Sequence, residues 1–329
     1  MLLSFPFVTQ AVVVADLFET RVKVEDQTTK HREQAQQEAF MQALVKLSGK
    51  TEAVQNELIQ AQAATPNQYI RSYRYLHNSA NDALLLEVVF AQNQLENLLT
   101  QAGLPIWGKS RPLILIWQAV EENHHRTTLS QQNSLWQWRI SDAMSERGLP
   151  ILWPTLDLED QAALSEGSLW GLFQQDIAQA SERYFADAIL AGRISQLGNS
   201  KWAYRGFLSH QQERLDISEQ DEEQDALARK VANRIAEYLA NRYAVRSNEQ
   251  SEILQIQVTK ITSFQDYTEL LAYLKANIAV QKLDLVKVEG DELTLALKLS
   301  TDWSQVWKVL SLDKRLIPNE QNLTYAWQR

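Results

Sequence analysis

The chain has 329 residues, 45% hydrophobic and 22% charged, an ordinary globular composition with length for two or three domains. A formal net charge of -9 argues against a nucleic-acid surface, which needs clustered Lys and Arg to displace counterions. With no cysteine, disulfides, thiol chemistry, Cys-ligated zinc and iron–sulfur clusters are excluded, and only 10 glycines and 7 prolines predict long regular elements.

Residues 1–15 are apolar except for Ser4, Thr9 and Gln10, and they close on Val13-Val14-Ala15 before Asp16. This is the shape of a secretory apolar region with a small-residue cleavage site, although no Lys or Arg precedes Arg21. Export to the periplasm is the expectation, with a buried N-terminal strand as the alternative. No segment is long and apolar enough to span a bilayer, so no transmembrane span is expected in the mature chain.

Alternation of Phe18, Thr20, Val22 and Val24 with charged neighbours predicts a half-buried strand, and residues 30–47 carry apolar residues at helical spacing before Ser48-Gly49. A second helix is predicted over 52–63, strands over 69–76 and 84–90, and a short helix over 92–102. Residues 111–117 are a short apolar run entered through Gly103-Leu104-Pro105-Ile106, and they read as a strand covered on both faces. A polar stretch at 121–128 and a helix over 130–147 lead to Gly148-Leu149-Pro150-Ile151, which echoes that first turn and predicts a parallel neighbouring strand at 149–153. Next come a helix over 171–184, strands over 188–194 and 201–209 about Gly198-Asn199, and a long helix over 222–243; the acidic run 216–224 reads as that helix's solvated start. After a polar linker at 246–252, the order β-α-β-β-α-β is the ferredoxin-like pattern, with its second helix over 303–310 and closing strand over 323–327.

The fold class expected is therefore α/β and α+β in several domains: a signal segment at 1–15, an N-terminal α/β layer at 16–108, a central mixed-sheet α/β domain at 109–246 and a C-terminal ferredoxin-like domain at 253–329. The segments about Asp16 to Gly49, Ala102 to Pro112, Arg147 to Asp160 and Ala191-Gly192-Arg193 resemble the uncharacterised exported bacterial family called domain of unknown function 2066. The resemblance implies a Gram-negative envelope setting and no reaction. The central unit is also similar in element order to periplasmic α/β domains of Tol and curli secretion proteins, and likeness of order does not fix function.

Candidate site residues are few. Asp157, Glu159 and Asp160 follow a strand end, where open α/β sheets place their crevices, and three carboxylates could hold Mg or Ca. The alternative is a solvated loop in which Asp160 or Ser165 caps the next helix. His124 and His125 would point apart and make a poor chelate; a surface loop suits them better. Gly167-Ser168-Leu169-Trp170-Gly171 lacks the order of a nucleophile elbow, and no Walker loop or dinucleotide fingerprint occurs, so no cofactor or nucleotide is expected. Seven of the ten tryptophans lie between Trp107 and Trp202. Trp136 and Trp138, two apart on a helix, cannot both face one core, so an exposed indole is expected there.

Three functions stay open. The first is a non-enzymatic periplasmic scaffold or adaptor that binds envelope proteins. The second is a cell-wall glycan or peptide module that uses Trp136 or Trp138. The third is a metal-dependent hydrolase on Asp157, Glu159 and Asp160.

Overall fold

The structure is a computed structural model, and it describes residues 12–78, 83–122, 125–129, 134–198, 200–246, 252–319 and 322–328. The chain divides into two compact units, one formed by Met1–Arg111 with Ala240–Arg329 and the other by Pro112–Leu239. The mixture of helices and several sheets is the expected multi-domain α/β and α+β class.

The first unit begins with β1 (Val12–Val13), β2 (Glu19–Lys23) and α1 (Thr29–Ser48). Helix α1 buries Ala35, Ala39, Phe40, Ala43, Leu44 and Leu47, one apolar stripe at the 3.6-residue period. It stops at Gly49, where φ is 70°; a Cβ there would stand 2.2 Å from that of Ala240, so glycine meets both the backbone and the space requirement. The single helix predicted over 52–63 is instead a 3-10 turn, Thr51–Gln55, followed by α2 (Glu57–Ala63). The Asn56 side chain accepts hydrogen bonds from Leu58 N and Ile59 N at 3.0 and 3.4 Å, and this N-cap separates the two pieces. Then come β3 (Ile70–Asn78), β4 (Ala83–Phe90), α3 (Gln92–Gln101) and β5 (Ser110–Arg111). The strands make a three-stranded antiparallel sheet in the order β2-β4-β3, while β1 pairs with β5. In that sheet Glu87, 1% exposed, is flanked in register by Arg21 and Arg74, which both donate to its carboxylate.

Arg111 is the most deeply held charge of this unit. Its exposure is 0%; Nη2 donates to the carbonyls of Lys46 and Trp107 at 2.9 and 3.0 Å, Nε donates to Gly108 O at 3.1 Å, and the guanidinium lies 4.1 Å from the Trp107 ring. Lys46 is in the last turn of α1, so the cation also meets the negative end of that helix.

The second unit is built on a six-stranded sheet. Its elements are β6 (Ile114–Glu122), β7 (His125–Leu129), α4 (Leu135–Glu146), β8 (Ile151–Leu152), α5 (Leu158–Ala163), α6 (Glu166–Trp170), α7 (Gln174–Ser181), β9 (Ala188–Leu197), β10 (Lys201–His210), β11 (Glu213–Asp221) and α8 (Gln224–Tyr243). The strand order is β11-β10-β9-β6-β7, with β8 also on β6. The predicted buried strand begins three residues later than expected, at Ile114, and runs parallel to both β8 and β9. The echoing turn does deliver a parallel neighbour, but the longer parallel partner is β9.

Two predicted features are corrected here. The polar stretch after β6 is no loop: β6 and β7 form an antiparallel hairpin, and His125 is paired with Glu122. His124 lies outside the described residues. The acidic run 216–224 is mostly strand β11, fully registered on β10, because Leu215 and Ile217 sit among charges that face outward on an edge strand.

Pairing and alternation divide this sheet's side chains between its faces. Leu115, Trp117, Ala119, Ala191 and Phe207 pack with Leu164, Leu169, Ile177 and Ala180 of the α5–α7 segment. Ile114, Ile116, Gln118 and Val120 point the other way, as do Ile194, Trp202 and Tyr204. Gly192 and Gly206 are a cross-strand pair on that second face, and a Cβ on Gly192 would lie 2.2 Å from the Tyr204 hydroxyl. The glycine pair is what gives the buried Tyr204 ring its place.

Beyond α8 the chain forms β12 (Glu252–Thr259), α9 (Phe264–Lys275), β13 (Val280–Glu289), β14 (Glu292–Leu299), α10 (Trp303–Leu310), β15 (Leu316–Pro318) and β16 (Thr324–Trp327). Ser263 caps α9 through a reciprocal capping box with Asp266. The sheet order is β13-β14-β12-β16-β15, and β12 and β13 both run antiparallel to the β14 between them, which is the first half of the ferredoxin-like pattern. The second half departs from it. A second such half would bring the closing strand back antiparallel to β12, whereas β16 runs parallel to it. The unpredicted strand β15 takes the intervening pass and forms a hairpin with β16, which reverses the final strand.

Candidate functional site

The Asp157, Glu159 and Asp160 cluster comes together in space, and what it surrounds is a cation of the chain itself. Asp157 N-caps α5 by accepting from Asp160 N at 3.0 Å, and Arg183 donates to both of its oxygens at 2.7 and 2.9 Å. Arg183 also reaches Asp160 at 3.1 Å and lies 3.5 Å from Glu159. Asp160 is 1% exposed and accepts from Leu156 N at 2.9 Å and from the Tyr184 hydroxyl at 2.5 Å. Hydrogen bonds from Arg183 hold the Asp157 carboxyl well below the ordinary carboxylate range, and burial with the Asp160 hydrogen bond pushes the Tyr184 phenol up. The cluster is an ion-paired clasp that joins the loop before α5 to the end of the α7 segment. Among the described residues no group of three or more His, Asp or Glu side chains is placed to hold a metal ion.

The tryptophan pair resolves differently. Ser134 caps α4 by accepting from Gln137 N at 3.1 Å and thereby sets the helix phase. Trp136 is 4% exposed and packs edge-on against Trp202 with ring centroids 5.1 Å apart, while Trp138 is 39% exposed and Leu135 72%. The two-residue spacing therefore puts one indole in and one out, as expected.

Trp136 lines a groove of about 420 Å³. Its floor comes from Val120 and Glu122 of β6 and from His125, Thr127 and Leu129 of β7, residues on one face of the hairpin by register. Ser134, Leu135 and Arg139 of α4 form a wall, with Gln224 at the start of α8. Arg139 donates through Nε to Asp225 at 2.7 Å and sits 5.8 Å from the Trp136 ring. Among the described residues, two N–H donors of this wall, Trp136 Nε1 and Arg139 Nη1, are buried without an acceptor. A buried donor left unpaired costs ~1–3 kcal/mol, so two beside one groove mark a place where the chain's own structure leaves hydrogen bonds unmade.

Sequence reasoning named Trp136 and missed its companions. Arg139 and Gln224 carry no local motif, and 85 residues separate them. The usable hint was the pairing of Trp136 with Arg139 three residues on, which places an indole and a guanidinium on one helical face.

A family described as "Domain of unknown function (DUF8605)" has a model that matches residues 11–108. The N-terminal part of the chain is thus an uncharacterised domain, but the match is not to domain of unknown function 2066. Within the segments of that resemblance, the two Gly-Leu-Pro-Ile turns follow helix ends, with Gly103 and Gly148 at φ 67° and 63°. No curated protein and no solved structure matches the chain. No helix among the described residues is long and apolar enough to cross a membrane.

Proposed function

We propose that the protein is an exported, non-enzymatic scaffold or adaptor of the cell envelope whose central unit docks a partner protein. The carrying observation is the α4 surface: exposed Leu135 and Trp138 stand on the helix that walls a groove with two unpaired buried donors. Exposed aromatic and aliphatic residues three apart on one helix, with Leu135 also lining a partly polar groove, are the composition of protein-interaction surfaces. Export is supported by the apolar run before Asp16. The proposed cleavage follows Ala15, at the small-residue end of that run.

The test is cell fractionation with N-terminal sequencing, combined with a photo-crosslinking residue at position 138. A periplasmic protein that yields one discrete crosslinked partner, lost when the label is moved to exposed Ile253 of the other unit, is the expected result. A strictly cytoplasmic location refutes the proposal. A second reading, stacking of a cell-wall glycan on Trp138, is favoured only by that indole's exposure; in this reading the Trp138→Ala variant loses all response to soluble wall fragments.

A further inference from the structure

We infer that the groove and the outer edge of β7 take an extended peptide segment of the partner, which adds as a strand to β7 and places one apolar side chain among Leu129, Leu135 and Trp136. The inference rests on the protein-docking reading above and names the chemistry of what docks.

Three observations select this occupant. Among the described residues β7 is paired on one side only, with β6, so its outer edge presents the backbone N–H and C=O groups that strand addition uses. The groove opens on the same hairpin, and its apolar walls suit a side chain of Val, Leu, Ile or Phe size. The unpaired donors, Trp136 Nε1 and Arg139 Nη1, call for neutral acceptors such as peptide carbonyls. A free carboxylate fits less well, because Asp225 already balances the Arg139 charge and Glu122 lines the groove. A sugar fits less well too: Trp136 is 4% exposed, too little for a pyranose ring to stack on its face. Both donors are shielded from water, so an occupant reaches them by displacing wall side chains, of which Leu135 is the most exposed.

The experiment uses the full chain labelled with 15N-tryptophan. The probe is a pool of acetylated, amidated hexapeptides whose alternate positions vary over Val, Leu, Ile and Phe. The Trp136 indole N–H resonance, assigned by its loss in Trp136→Phe, is expected to move on titration. In Trp136→Phe, which keeps an aromatic side chain and removes the N–H donor, affinity should fall about five- to tenfold. The same pool N-methylated at alternate backbone nitrogens should not bind, because N-methylation blocks strand pairing and leaves the side chains intact. Equal binding by the N-methylated pool, or affinity unchanged in Trp136→Phe, overturns the inference. Movement of the Trp136 resonance by an N-acetylglucosamine oligomer and not by the peptides also overturns it. No peptide binding alongside a discrete crosslinked partner at position 138 overturns the inference and leaves the scaffold reading standing. Peptide binding by a protein confined to the cytoplasm does the reverse.

Discussion

Replacing Arg111 with Met tests how the first unit is held together. The substitution removes, among others, the hydrogen bonds from a charged donor to the carbonyls of Lys46, Trp107 and Gly108, together with the stack on Trp107. Hydrogen bonds to a charged group contribute ~1.5–3 kcal/mol each, and a desolvated cation–π contact adds about 2. Against this, burying the guanidinium costs several kcal/mol, a cost the variant no longer carries. The difference between these opposing terms leaves a net loss of ~3–5 kcal/mol. Arg111→Lys should recover less than half of the loss, since one ammonium cannot span three carbonyls arrayed around a planar fork. Urea denaturation followed by circular dichroism measures the loss. Hydrogen exchange at residues 43–49 and 104–110 reports it locally, because a chain of two units need not unfold in one step. A loss below about 1 kcal/mol with unchanged exchange, or a lysine variant equal to the parent, would refute the reasoning.

Gly192→Ala should lower stability by ~1–3 kcal/mol through collision with the Tyr204 ring, whereas Tyr204→Phe should be neutral or raise it by about 1, because the Tyr204 hydroxyl is buried without a partner; thermal unfolding of the two variants should separate them in sign. Asp157 has a folded-state pKa below its ordinary 3.8, so its contribution is present above that value and is lost as pH falls through the folded value. Its 13C carboxyl resonance should titrate far below 3.8 in the parent and return toward 3.8 in Arg183→Gln; an unchanged midpoint would show that Arg183 is not the cause. Ser263→Ala removes the N-cap of α9 and should cost ~1 kcal/mol, read as a lower unfolding midpoint with the same urea slope.

What could be read ahead of the fold follows from where the physics is local. The stripe of Ala39, Phe40, Ala43, Leu44 and Leu47 specifies a helix by its period, and α10 lies on its predicted residues, 303–310, because Asp302 caps it and its apolar residues repeat at helical spacing. The spacing of Trp136 and Trp138 likewise dictated that one indole leave the core. Strands β7 and β11 escaped because a sheet-edge strand needs only one apolar face. His125–Leu129 offers Leu129 alone, and Glu213–Asp221 offers little beyond Leu215 and Ile217. The break at Asn56 escaped because an N-cap inside an otherwise helical run declares itself only once the preceding turn is known to be 3-10.

By itself the sequence determined the mixed α/β class, the absence of thiol chemistry and an acidic balance, because composition and periodicity act residue by residue. Tertiary structure alone decided that Arg183 fills the acidic cluster, that Trp136 rather than Trp138 turns inward, and that β15 reverses the last strand. It also decided that Arg139 and Gln224 line one groove with the β6–β7 hairpin. The reason is reach: each of these contacts joins elements distant in the chain, and which of them meet is set by sheet order and register, which no local pattern encodes.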